Sequence, residues 1–322
     1  MRKLLLGTTA LAAAFTLSAT ANVAVADVAI SGSYEFSYLS QSSNITAIDG
    51  TTFGTDSEVV LSFTNKTDSG LTIGMVTEIE SDDADTAINE GSMSISGGFG
   101  KLVLGGDDGA SNNYSMPADA LIQEESMDAG NSASINMKDT EIAGADANKI
   151  SYHLPAMGGL TAGASFTNAS AAGNADTTEF GMKYSMSAGG ASITIGGGQA
   201  TTENSTQDID QQNLGLKVVS GNISAALSQG SYEASSQDET STSAAVSFKV
   251  SDVMTVGAFT TEVEDDSTSE ELQVSGVELA YTIAPGLSAV INVEDYDYKV
   301  GTSSGNTADS GTTSKLTIKA SF

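Results

Sequence analysis

The chain has no cysteine, no tryptophan, three prolines and one histidine in 322 residues, and after Arg2 it has no arginine. Without cysteine there is no disulfide, thiol nucleophile or thiolate-held metal, which suits an exported chain that does without covalent cross-links. His153, the single histidine, is not spaced to meet a matched nucleophile or carboxylate, so acid–base catalysis has little to work with. Past the amino terminus no run approaches the roughly 18 to 20 apolar residues of a membrane helix, so residence in a membrane would need another architecture. Scarce proline, 34 glycines and abundant Ser, Thr and Val favour many strands joined by turns.

What is present begins with a leader. Arg2 and Lys3 precede a mostly apolar run from Leu4 to Leu17, and Ala24-Val25-Ala26 supplies the small residues of a cleavage site. Residues 1–26 therefore read as a secretory signal peptide, with 27–322 as the mature domain. The run is short for a spanning anchor. Removing the leader leaves ten lysines against 41 acidic residues, a formal balance of −31. Such a surface repels nucleic acid and anionic head groups and attracts cations. A disordered acidic chain would share that charge, but regular alternation of polarity argues against it.

From Asp27 onward the sequence divides into sixteen segments of period two. The first carries Val28, Ile30, Tyr34, Phe36 and Tyr38 on one face; the second, near 56 to 66, carries Val59, Leu61 and Phe63; the last carries Leu316, Ile318, Ala320 and Phe322, with Lys315, Thr317, Lys319 and Ser321 between them. Connections alternate between short turns, such as Thr67-Asp68-Ser69-Gly70, and longer acidic stretches rich in Ser, Thr and Asn. Soluble β-sandwiches also alternate. Sixteen segments with no linker point instead to a sixteen-stranded antiparallel transmembrane β-barrel, because an even closed ring leaves no unpaired edge in lipid. Short turns would then face the periplasm, long loops the outside, and Tyr and Phe, including the terminal Phe322, would form the interfacial girdle without Trp.

Motifs for other chemistry fall short. Gly97 to Leu102 contains Gly-Lys but lacks the P-loop spacing and the hydroxyl residue after Lys101. Asp82, Asp83 and Asp85 cluster without the glycine and distal glutamate of an EF-hand, so only loosely bound Ca²⁺ with no assignable ligand set is expected, and no other cofactor. A secreted acidic adhesin or surface protein of similar composition is the competing class, but the nine-residue Gly-Gly-x-Gly-x-Asp repeat of calcium-binding solenoids is missing.

Several pieces, in order along the mature chain, resemble the general diffusion porins of alphaproteobacterial outer membranes, of the Rhodobacter type. They are Val28-Ala29-Ile30-Ser31-Gly32, Asp68-Ser69-Gly70-Leu71, Gly97-Gly98-Phe99-Gly100-Lys101-Leu102-Val103-Leu104-Gly105, Asn148-Lys149-Ile150-Ser151-Tyr152, Gly158-Gly159-Leu160-Thr161-Ala162-Gly163-Ala164-Ser165-Phe166 and the terminal Phe322. The resemblance implies an outer-membrane homotrimer of sixteen-stranded barrels, each a water-filled pore narrowed by an inward third loop. It also implies contact with outer-membrane lipid and lipopolysaccharide, and reading of the Phe322 strand by the assembly machinery. A substrate-specific channel would share this fold.

On that basis the interruption at about 106–148 is the third loop. Its acids Asp107, Asp108, Asp119, Glu124, Glu125 and Asp128 are candidates for the constriction, with Asp139 and Glu141 further along and only Lys138 opposing them. Ser115 is expected to cap a short helix with Pro117 in its first turn. Strand parity turns Lys66, Lys101, Lys149, Lys183, Lys217, Lys249, Lys315 and Lys319 toward the lumen. Porins of this family set basic side chains, largely arginines, across from the acidic loop. This chain has no arginine to place there, so the expected pore passes cations and small hydrophilic solutes passively, with more cation preference than is usual for the family.

Overall fold

A strand that alternates Tyr, Phe, Ile or Leu with Ser, Thr or Lys has one face that gains by leaving water and one that loses by it. In the computed structural model, which describes residues 13–15, 27–45, 49–80, 90–122, 147–168, 176–203, 208–301 and 306–322, such strands close into one ring. They are β1 (Asp27–Ser43), β2 (Gly50–Lys66), β3 (Thr72–Glu80), β4 (Glu90–Gly97) and β5 (Gly100–Gly106). Next come β6 (Asn148–His153), β7 (Leu160–Thr167), β8 (Asp176–Ala188), β9 (Ala191–Glu203) and β10 (Asp208–Ser220). The ring is completed by β11 (Ile223–Ala234), β12 (Gln237–Ser251), β13 (Met254–Asp265), β14 (Glu270–Ala284), β15 (Leu287–Lys299) and β16 (Asp309–Ser321). A three-residue piece, Ala13–Phe15, pairs antiparallel with Val28–Ile30 in the same sheet, just beyond the point where β16 stops.

Each strand pairs antiparallel with its sequence neighbours, and β16 pairs with β1 from Gly311↔Ser43 to Ser321↔Ser33. Among the described residues no helix is long and apolar enough to cross a membrane. At about 3.3 Å per residue, the 17 residues of β1 reach well beyond the roughly 30 Å of a hydrocarbon core even when tilted. The outward side is apolar: Tyr34, Phe36, Phe180, Leu214, Val277 and Ile291 are all exposed on it. Phe53 stacks on Phe36 at 5.4 Å and meets Tyr38 at 5.6 Å, giving a local aromatic cluster on the outer face. Polar residues face inward, and many are buried there, including Ser151, Ser165, Asn213, Ser241, Asn292 and Thr317.

Two boundaries differ from the sequence reading. β2 starts at Gly50, not near residue 56, because Phe53 and Thr55 continue the outward phase opposite Tyr38 and Phe36 despite the glycines at 50 and 54. In the third loop the helical turn is Ala110–Asn113, followed by a 3₁₀ turn at Asp119–Leu121. Ser115 therefore caps nothing: its Oγ donates to Asn112 O at 2.8 Å, closing the end of the preceding turn, and Pro117 sits between the two.

The seam ends on a reciprocal pair, with Gly32 N donating to Phe322 O at 3.0 Å and Phe322 N to Gly32 O at 3.1 Å. A Cβ on Gly32 would meet Glu58 O at 2.5 Å and the Phe322 ring at 3.1 Å, so the ring covers the bare backbone that glycine leaves. Inside, the Lys319 ammonium pairs with Glu35 across the same seam. Gly32→Val is expected to cost about 1–3 kcal/mol by forced displacement at the seam. The check is the temperature at which the folded band converts to the unfolded one in a gel-shift assay, which should fall.

Candidate functional site: a narrowed lumen

The third loop leaves β5 at Gly106 and turns inward, where its described part, Asp107 to Ile122, lies against the inner wall. Ala110 N donates to Ser165 Oγ on β7 at 2.9 Å, and Ser111 N donates to Glu179 Oε2 on β8 at 3.2 Å, joined by the Ser111 hydroxyl. Lys183 Nζ donates to Asn113 O at 3.3 Å, and Ala118 N to Ser228 Oγ on β11 at 2.7 Å. Tyr114 Oη lies 2.9 Å from His153 Nδ1 on β6. Burial raises the pKa of the Tyr114 hydroxyl, which stays protonated in this hydrogen bond. The single histidine is thus a fastening point for the loop.

The wall is shaped for this contact by glycine. Gly163, Gly181 and Gly198 stand opposite one another on β7, β8 and β9, and Gly196 stands opposite Gly215 on β9 and β10. All face the lumen, in phase with Lys183 and Lys217 and out of phase with the outward Phe180, Met182 and Leu214. A Cβ on Gly198 would come within 2.5 Å of Ser111 O, and one on Gly196 within 2.7 Å of Met116 Cγ. Cβ atoms on Gly181 and Gly215 would collide with Ala110 O and Met116 O. The result is a lane without side chains in which loop backbone can lie. Beyond it the loop becomes apolar, and Ala118 and Ile122 join a buried cluster with the inward-facing Phe259, Val263, Leu272 and Val274.

With the loop held on the β6–β14 side, the opposite wall keeps a cavity of about 240 Å³ lined by residues including Val76, Glu78, Ser92, Ser94, Lys101 and Asp107. Glu78 there interacts with Glu58, Glu80, Asp107 and Asp108. Of the acids expected at the constriction, Asp107 reaches this space. Asp108 serves the loop itself, accepting from Asn112 Nδ2 at 2.9 Å. Asp119 is buried in the 3₁₀ turn. Glu124, Glu125 and Asp128 lie outside the described residues, as do Asp82, Asp83 and Asp85.

The lysines follow their parity. Lys183 touches the inward loop, Lys101 lines the cavity, Lys319 meets Glu35, and Lys149 is buried. Lys217 acts electrostatically on Lys183. Lys66 and Lys315 share the inward phase of their strands, and Lys249 pairs with Asp252 at 2.9 Å beside a short turn, where its hydrogen bond and then its charge lower the Asp252 pKa. Among the described residues no three His, Cys, Asp or Glu converge as a metal ion would require. The glycine lane, Glu179, Ser165 and Ser228 escaped the sequence reading; inward-phase glycines on four successive strands were the available signal.

Gly215→Val is expected to lift the loop off the wall at a cost of about 1–3 kcal/mol. Single-channel conductance should rise while the folded band on gels stays, since the ring is untouched.

Comparisons with known proteins bear on the same features. A family model described as Gram-negative porin matches residues 7–302. A search of curated proteins finds no match. Among solved structures, a loop-deletion mutant of OmpT, an outer membrane protein of Vibrio cholerae, superposes with a TM-score of 0.67 at 14% identity, covering 92% of this chain and 99% of that one. An anion-selective porin from Comamonas acidovorans superposes at 0.66 with 19% identity, covering 92% and 100%. A mutant of a porin from Rh. blastica superposes at 0.62 with 13% identity, again covering 92% and 100%.

Proposed function

Since the chain belongs to the Gram-negative porin family, whose members are outer-membrane channels and not enzymes, we propose that its lumen passes ions and small hydrophilic solutes passively, with a preference for cations. The observation that carries the preference is the open side of the lumen. Glu78 lies there among Glu58, Glu80, Asp107 and Asp108, and Lys101 is the one lysine lining the described cavity. In a narrow passage walled by low-dielectric protein, such a cluster concentrates cations and depletes anions. The barrel does not decide the sign, for the similar Comamonas barrel is anion-selective. The sign comes from side chains, and here arginine is missing after position 2.

The rest of the reading is an exported chain cut after Ala26 and assembled through its Phe322 strand. It would stand as a homotrimer amid lipopolysaccharide and lipid, with any Ca²⁺ held loosely by surface acids. The broad outward apolar face supports burial against lipid and neighbouring barrels.

The test is the zero-current potential of the detergent-purified protein in a planar bilayer across a tenfold KCl gradient. The expected sign is that of potassium permeation; a value near zero or of chloride sign overturns the preference. Liposome swelling with sugars of graded size should show uptake that falls smoothly with mass, and saturation by one sugar would indicate a substrate-specific channel instead.

A further inference from the structure

Most charge on the inward face is sorted along the barrel axis; the exceptions are Lys149, near the long-loop start of β6, and Lys183 and Lys315, which lie in mid-strand. At the short-turn end, Lys66 is the last residue of β2, Lys101 the second of β5, and Lys217 lies three residues from the end of β10. Lys249 and Lys319 are each two residues from the ends of β12 and β16. At the long-loop end, Asp265 closes β13, Glu270 opens β14 and Asp309 opens β16, all on the inward face and buried. Two of the strands that carry both signs show the separation: Glu239 and Lys249 on β12, and Asp309 and Lys319 on β16, each pair ten residues apart on one face. At about 3.3 Å per residue that separates the charges by roughly 33 Å along the strand.

The middle continues the acidic zone on the open side with Glu58 and Glu78, while Glu35 is paired with Lys319. Three acids stand at the lysine end. Asp27 opens β1, Asp68 lies in a turn, and Asp252 also lies in a turn, engaged by Lys249. They weaken the basic ring without reversing its sign on the inward face.

We propose that the lumen is bipolar, an acidic outer section in series with a lysine ring at the short-turn mouth, and that it rectifies ionic current. Each section gathers its counter-ion, cations outside and anions at the ring. A voltage positive on the long-loop side drives both counter-ions toward the junction and fills the pore. The opposite voltage draws both away and empties it. Current is therefore larger when the long-loop side is positive. The inference rests on the open-channel reading above and adds the axial arrangement to it.

The experiment is single-channel current at equal and opposite voltages in symmetric KCl. Orientation is assigned by Ser236→Cys in the two-residue β11–β12 connection at the long-loop end, which a charged, impermeant thiol reagent reaches from one chamber only. In about 0.1 M salt, where screening extends about 10 Å, the current ratio is expected to be about twofold, and in 1 M salt, with about 3 Å, to approach one. The combined Lys66→Gln, Lys101→Gln and Lys217→Gln variant, shown to be folded by its gel shift, should lose the asymmetry. Equal currents in low salt, rectification of the opposite sign, or asymmetry that survives the lysine replacements would each overturn the bipolar lumen while leaving the channel intact. Absence of any channel events would overturn the channel reading and this inference with it.

Discussion

Hydrocarbon offers no hydrogen bonds, so every backbone N–H and C=O that crosses it must find a partner within the protein. A flat sheet leaves two edges unmet. Sixteen strands that end where they began leave none, and the reciprocal pair between Gly32 and Phe322 shows how far along the seam that pairing is carried. Closure then fixes the pleat, because a slip of one residue anywhere would turn Tyr34 and Phe36 inward and Glu35 into lipid. The apolar exterior, the polar interior and the pore are consequences of one ring.

A ring of this size is too wide to sieve by itself, and the chain narrows it with its own third loop. The difficulty is that loop backbone carries polar groups of its own. The wall answers with Ser165, Glu179 and Ser228, which accept loop N–H groups, and with glycines that let the two backbones approach. Farther along, the inward-facing Phe259 and Leu272 hold Ile122 as a soluble core would. One side of the lumen is therefore structural, and the other keeps a cavity lined by Glu78, Lys101 and Asp107 among others.

The barrel was legible in the sequence because a two-residue period over sixteen segments is set by the solvents on each side, oil and water, and hardly by local detail. Lysine parity was legible for the same reason, as Lys183 and Lys319 show by their contacts. The start of β2 was hidden because Gly50 and Gly54 mask the alternation that Phe53 and Thr55 continue. The loop's docking was not legible: which strand positions lie side by side depends on register, and only register brings Gly163, Gly181 and Gly198 into one lane. Asp107, Asp108 and Asp119 were grouped by charge and loop position, and only the fold separates them: Asp107 and Asp108 both act on Glu78, Asp108 also bonding Asn112, while Asp119 is buried in the 3₁₀ turn.

The claim that neighbouring residues of one strand meet opposite solvents is tested most directly on β16, in the purified protein reconstituted in lipid. Single cysteines at positions 315 to 319, each carrying a spin label, would report collision rates with a lipid-soluble and a water-soluble relaxing agent. Labels at Leu316 and Ile318 should favour the lipid-soluble agent, and those at Lys315, Thr317 and Lys319 the water-soluble one. A uniform response along the strand, or the reverse alternation, would contradict the barrel and every property derived from it.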